Sequence, residues 1–141
     1  MPKILLVDDE PDILQLIALR LRTAGYEVIT GRDGQEAITL VRQHQPDLVI
    51  LDVMMPKLNG FQVARMIKFD KKLKDIPVFL LTARTQPSDK TTGAQVGADE
   101  YITKPFDVKV LVERINTWLA RKSGTGAVGT PPPTVPPVPP A

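Results

Sequence analysis

Five side chains in this sequence are of the kind that hold or transfer charged groups: Asp8, Asp9, Asp52, Thr82 and Lys104. Three carboxylates brought close together repel one another, by about 4 kcal/mol per pair at about 4 Å and an effective dielectric near 20. Such a cluster invites a cation. Oxygen ligands with no cysteine or histidine nearby favour Mg²⁺ or Mn²⁺ over zinc. Lys104 can add a positive charge, as a point donor to a phosphoryl oxygen, and Thr82 can donate a hydroxyl hydrogen bond. A carboxylate can also act as the nucleophile in phosphoryl transfer, which yields an aspartyl phosphate. Catalysis is then mainly positioning and charge neutralisation.

These residues are far apart in sequence, so regular elements must bring them together. Ile4-Leu5-Leu6-Val7, Leu48-Val49-Ile50-Leu51 and Val78-Phe79-Leu80-Leu81 are uninterrupted apolar tetrads. They suit strands buried on both faces of a parallel sheet. Tyr26 to Thr30 and Tyr101 to Thr103 are weaker strand candidates. Pro11 suits a first helical position. Ile13, Ile17, Ala18 and Leu21 then recur at helical spacing up to a stop at Gly25. Asp33 with Glu36 resembles a capping box for a helix through about Arg42. A further helix runs from Phe61 to Phe69, and Asp107 caps a last one with Val108, Leu111, Ile115 and Leu119 on one face. Alternating strands and helices predict an α/β fold with parallel strands, right-handed crossovers and helices on both faces. In such a sheet, sites form outside the carboxyl ends of strands, where the strand order switches. Each of the five polar side chains follows or ends a predicted strand.

Composition narrows the rest. The 141 residues have 43% hydrophobic and 24% charged content and a net charge of +2, ordinary for a globular domain and too weakly basic to argue for nucleic acid. With no cysteine, disulfides and thiolate metal sites are excluded. No apolar run approaches the roughly 20 residues that span a bilayer, and the amino terminus has no signal-peptide pattern. A cytoplasmic protein is expected. Residues 123–141 hold seven prolines, three glycines and no charge. This stretch reads as a disordered tail or linker behind a folded domain of residues 1–122. Its P-x-x-P patterns could also engage an aromatic groove.

Taken together, the Asp8-Asp9 pair, Asp52 within Leu51-Asp52-Val53-Met54-Met55-Pro56, Asn59-Gly60, Thr82-Ala83 and Gly97-Ala98-Asp99-Glu100-Tyr101-Ile102-Thr103-Lys104-Pro105-Phe106 resemble the receiver domain of bacterial two-component response regulators. The resemblance covers Lys3 to Lys122. It implies a doubly wound, flavodoxin-like five-stranded parallel sheet in order 2-1-3-4-5. It also implies that Asp52 is the phosphoacceptor and draws its phosphoryl group from a sensor histidine kinase or phosphotransfer protein. Asp8, Asp9, Asp52 and the backbone carbonyl of Met54 would bind Mg²⁺ or Mn²⁺. Thr82 and Lys104 would hold the phosphoryl group, Thr82 and Tyr101 would form the switch, and a cis peptide would precede Pro105. The face built by the segment before the fifth strand, that strand and the last helix would then change for a downstream protein effector. The implied partners include a phosphorylation-dependent homodimer and exclude a membrane and direct nucleic-acid binding by this chain.

Blander readings exist for single residues. An acid pair such as Asp8-Asp9 is also favoured at a helix amino terminus, and Tyr101 could simply pack on a helix. His44 reads as a surface helix residue and Trp118 as packing. Thr91-Thr92-Gly93 are poor helix formers, so the segment Ser88 to Val96 is a candidate bistable helix. Two other functions compete: a module of the same fold that works without phosphate, and an aspartyl-phosphate phosphatase. The second requires an acid two residues after the nucleophile. That position is Met54, so turnover of external substrates is not expected.

Overall fold

The computed structural model describes residues 1–83 and 98–123. The expected segment Ser88 to Val96 and the tail beyond Ser123 lie outside the described residues. The chain runs β1 (Lys3–Val7), α1 (Pro11–Thr23), β2 (Glu27–Gly31), α2 (Gly34–His44), β3 (Leu48–Asp52), α3 (Gly60–Lys68), β4 (Val78–Ala83), β5 (Glu100–Lys104) and α4 (Val108–Ser123). All pairings are parallel and the strand order is β2-β1-β3-β4-β5, as the resemblance implied.

Strand alternation explains why the apolar tetrads are continuous. Leu5, Val7, Val49, Leu51, Val78 and Leu80 pack with α2 and α3 through Ala37, Val41, Val63 and Ile67. The intervening Ile4, Leu6, Leu48, Ile50, Phe79 and Leu81 pack on the opposite face with Ile17, Leu21, Leu111 and Ile115 of α1 and α4. A strand buried on both sides has no solvent-facing register, so every position in β1 and β3 that lies inside the sheet must be apolar. Burying each of these side chains contributes about 1.5–3 kcal/mol of apolar transfer.

The helix ends follow the local chemistry with small departures. Pro11 opens α1, and Gly25 closes it at φ +100°, the left-handed region that glycine adopts without strain. Tyr26 is taken by that terminus, its amide donating to Leu21 O, so β2 starts one residue later than predicted. Asp33 accepts from Glu36 N at 2.8 Å, but Glu36 reaches Arg32 N rather than closing the box on Asp33. The reciprocal box is instead at α3, between Asn59 and Gln62, at 2.9 Å in each direction. Asp107 accepts from Lys109 N at 2.8 Å at the start of α4.

At the end of the sheet opposite the Asp8–Asp52 rim, one lysine ties three segments together. Lys68 Nζ donates to Ile76 O at 2.8 Å and Lys74 O at 3.2 Å, and pairs with Asp99 Oδ2 at 2.7 Å. Asp99 in turn accepts from Val78 N at 2.8 Å, beside the β4–β5 ladder. Removing the ammonium leaves part-buried acceptors unmatched, which costs about 2 kcal/mol. Lys68→Met is therefore expected to lower Tm by about 8 °C in a thermal melt at neutral pH; an unchanged Tm would show that water replaces the ammonium without loss.

Candidate functional site

The four strands that carry the predicted residues end at one rim. Val7 lies beside Leu51 and Gly31, Asp52 beside Leu81, Thr82 beside Thr103 and Ala83 beside Lys104. Strand order reverses between β1 and β3, and Asp8 and Asp52 follow from those two strands. Lys104 shares the sheet face of Ile102 and Glu100, two residues apart along β5. Its Nζ lies 3.3 Å from Asp52 Oδ1, 3.7 Å from Asp8 Oδ2 and 3.7 Å from Glu10 Oε1. The peptide between Lys104 and Pro105 is cis, as implied.

Asp8 is 0% exposed, Thr82 1% and Asp52 3%, and these are the buried polar side chains among the described residues. Asp8 Oδ2 and Thr82 Oγ1 have no hydrogen-bond partner. Buried polar atoms left without a partner cost about 1–3 kcal/mol each, so a native site that keeps them holds them ready for something else.

Asp8, Glu10 and Asp52 each place a carboxylate oxygen within 4.8 Å of the others. Asp9, expected beside Asp8, is exposed and is not one of these three, whereas Glu10, also exposed, is. The reason is a local turn. Asp8 Oδ1 accepts from Glu10 N at 2.9 Å, an Asx turn in which residue i binds the amide two positions on. The turn folds Glu10 back beside Asp8. An acid two residues after Asp8 was the available signal. Of the remaining expected residues, Met54 donates its amide to Asp52 Oδ1 at 3.4 Å while its side chain is exposed. Tyr101 is half-buried against the core between the sheet and α2 and α3, outside the carboxylate cluster.

The electrostatics follow from burial. Desolvation, reinforced by the Asp8 charge, pushes the Asp52 carboxyl up to about 6 against the pull of Lys104. Burial also raises Asp8. Burial alone would lower Lys104, but the Asp52 and Asp8 charges outweigh it and raise it, so the lysine stays charged. The donor set is all oxygen, with one lysine against three acids, and this suits a hard divalent cation.

The model of the response regulator receiver domain matches residues 4–116. The chain belongs to this family. It is 46% identical over 121 residues to the DNA-binding dual master transcriptional regulator RpaA of Synechocystis, covering 86% of this chain and 50% of that protein. The chain spans about half the length of the curated relatives it matches. Among solved structures, the receiver domain of a signal transduction histidine kinase from Syntrophus aciditrophicus superposes with TM-score 0.84 at 33% identity, over 92% of this chain and 98% of that one. The receiver domain of the sensor histidine kinase PA1611 from Pseudomonas aeruginosa superposes with TM-score 0.78 at 29% identity, over 84% and 98% of the two chains, and carries a magnesium ion in its active-site cleft.

The relatives also overturn the expected partner set, which excluded nucleic acid. RpaA is a DNA-binding regulator twice the length of the matched stretch. A net charge of +2 describes this stretch alone and carries no information on what lies beyond it in a relative.

The raised Asp52 pKa sets a pH dependence. The folded carboxyl titrates near 6 and the unfolded one near 3.8, so the folded state holds the extra proton between those values. The associated stability is full below about 3.8 and is lost as pH rises through 6, on the order of 3 kcal/mol. In chelator-treated protein, Asp52→Asn is therefore expected to raise Tm at pH 7.5 and to leave it nearly unchanged at pH 4. Equal shifts at both pH values would refute the repulsion.

Proposed function

We propose that this receiver domain is a phosphoacceptor switch in which Asp52 takes a phosphoryl group beside a divalent cation, Mg²⁺ or Mn²⁺. The observation that carries the proposal is the rim itself: buried Asp8 and Asp52 both pair with Lys104, buried Thr82 ends the neighbouring strand, and Asp8 Oδ2 and Thr82 Oγ1 have no hydrogen-bond partner. Asp8, Glu10 and Asp52 would hold the ion, with Asp9 and the Met54 carbonyl as the further ligands bordering it. When bound, the ion supplies the positive charge that lets carboxylates and phosphoryl oxygens share one site.

The rest is done by side chains of this chain. With a carboxyl titrating near 6, Asp52 is ionised at neutral pH and can act as the nucleophile. One Asp52 oxygen forms a bond to phosphorus as the bond from phosphorus to the donor breaks, a histidine nitrogen in a phosphohistidine or a carboxylate oxygen in an acyl phosphate. The donor leaves with that electron pair. Lys104, already 3.3 Å from Asp52 Oδ1, would transfer its pairing to a phosphoryl oxygen. Thr82 would satisfy its buried hydroxyl on another. That inward pull on Thr82 is the event to which Tyr101, on the neighbouring strand two residues before the partner of Thr82, would respond. The reaction stops at the acyl phosphate, so the protein is read as a signalling acceptor that does not turn over external substrates. By likeness to the regulators it matches, the phosphorylated face would control a DNA-binding output.

Intact-mass measurement after incubation with Mg²⁺ and a small acyl-phosphate donor tests this. One added phosphoryl group is expected in the parent, none in Asp52→Ala, none with chelator, and about 100-fold slower uptake in Lys104→Ala. An adduct that survives Asp52→Ala would place the chemistry elsewhere.

A further inference from the structure

The segment between β3 and α3 carries the residues that border Asp52, and its seat lies on another helix. Val53 N donates to Leu81 O at 3.0 Å, and Met55 N and Gly60 N both donate to Val53 O, at 3.1 and 3.0 Å. Beyond these, the segment rests on the first residue of α2. Gly34 N donates to Pro56 O at 3.5 Å. A Cβ built on Gly34 would stand 2.0 Å from Leu58 O and 2.5 Å from Leu58 Cβ. Lys57, held at φ 69°, pairs with Asp33 Oδ2 at 3.6 Å, on the residue that caps the same helix. The contact at Gly34 is with backbone, which cannot rotate out of the way as a side-chain tip can.

We infer that Gly34 is a positioning residue for phosphoryl acceptance: its missing side chain sets how deeply residues 53–59 seat against α2, and thereby holds the Met54 amide on Asp52. Gly34 touches no reacting atom. It acts through Leu58 and the short span back to Met54, whose amide donates to Asp52 Oδ1 at 3.4 Å. Any residue larger than glycine must push Leu58 outward by more than an ångström to restore ordinary contact. The Met54 amide lies four positions from the point pushed, and the hydrogen bonds of Val53 and Gly60 pin the two ends of the loop, so the displacement is confined to the residues between them.

The inference rests on the phosphoacceptor reading, and its test separates the two. Gly34→Ala is compared with the parent and with Gly25→Ala. Gly25 sits at φ +100° at the end of α1, with nothing within 4 Å of an added Cβ. That control is strained in its backbone but touches no part of the segment. Two quantities are read in each: the rate of phosphoryl uptake from a small acyl-phosphate donor, and the rise in Tm on adding Mg²⁺. The second is a difference, which a general loss of stability leaves in place. Gly34→Ala is expected to take up the group at least 10-fold more slowly and to lose most of the Mg²⁺-induced rise. Gly25→Ala should keep both despite its lower Tm. A folded Gly34→Ala with parental rate and parental Mg²⁺ response overturns the inference, as does an equal loss in Gly25→Ala. Should Gly34→Ala fail to fold, Leu58→Ala keeps the glycine but removes the side chain that seats the segment on the core. It is expected to slow uptake at least 3-fold, and a parental rate there overturns the inference too. A parent that gains no phosphoryl group on Asp52 refutes the function itself, whereas an adduct forming equally fast in all variants refutes only the role of Gly34.

Discussion

One ammonium faces three carboxylates at the rim of the sheet, and this imbalance shapes the rest of the domain. Lys104 Nζ lies within 3.7 Å of Asp8, Glu10 and Asp52, and two of those acids, Asp8 and Asp52, are buried. Left to itself, such a group of charges spreads apart or takes up protons. The raised Asp52 and Asp8 carboxyls are the second response, and they are available only because the first is blocked. What blocks it is the pair of strands beneath. β1 and β3 are apolar on both faces and packed by helices above and below, so their ends cannot splay without opening the core. The charge frustration of the site is thus held in place by hydrophobic burial elsewhere.

Lys104 needs its own support, because β5 is an edge strand with one neighbour. Its first residue is fixed from the side: Glu100 accepts from Arg114 at 2.5 Å and from Trp118 Nε1 at 3.0 Å, both on α4. The residue before it, Asp99, is fixed by Val78 and Lys68. The lower end of β5 is therefore bound to α4, β4 and α3, while Lys104 at its upper end faces the site. A strand anchored at one end and charged at the other can pass a change at Lys104 or Thr82 along its length without detaching from the sheet. Tyr101 lies between those ends.

The features legible in the sequence were those that depend on strand placement. Apolar tetrads locate β1, β3 and β4, and whatever polar residue follows a buried strand must emerge at a rim, which is how Asp8, Asp52, Thr82 and Lys104 could be grouped without coordinates. The place of Glu10 beside Asp8 depends instead on an Asx turn formed by Asp8, which no periodicity among adjacent acids announces. The reciprocal cap expected at Asp33 and Glu36 formed at Asn59 and Gln62, because the match in residue type does not fix where a long side chain reaches. The pairing of Asp99 with Lys68 had no signal in the sequence, because it joins elements whose adjacency is a result of folding. The DNA binding of a relative such as RpaA was beyond reach, since this chain matches only half of that protein's length.

Two glycines show how the site is finished. At Gly60 an added Cβ would meet Asp52 O at 2.7 Å and Val53 Cα at 2.8 Å, and at Gly34 it would meet the backbone of Leu58. Residues 53–59 therefore run between two helix starts, α2 on one side and α3 on the other, each allowed close by the absence of a side chain. Contacts of backbone on backbone tolerate little adjustment, since neither partner has a rotamer to change. Side-chain contacts around Asp52 are few by comparison, one lysine and one amide. A site built this way keeps its shape while its charges change. On the proposed reading a phosphoryl group would alter the side-chain pairings at Lys104 and Thr82, while the loop that frames Asp52 is held by backbone contacts independent of those pairings.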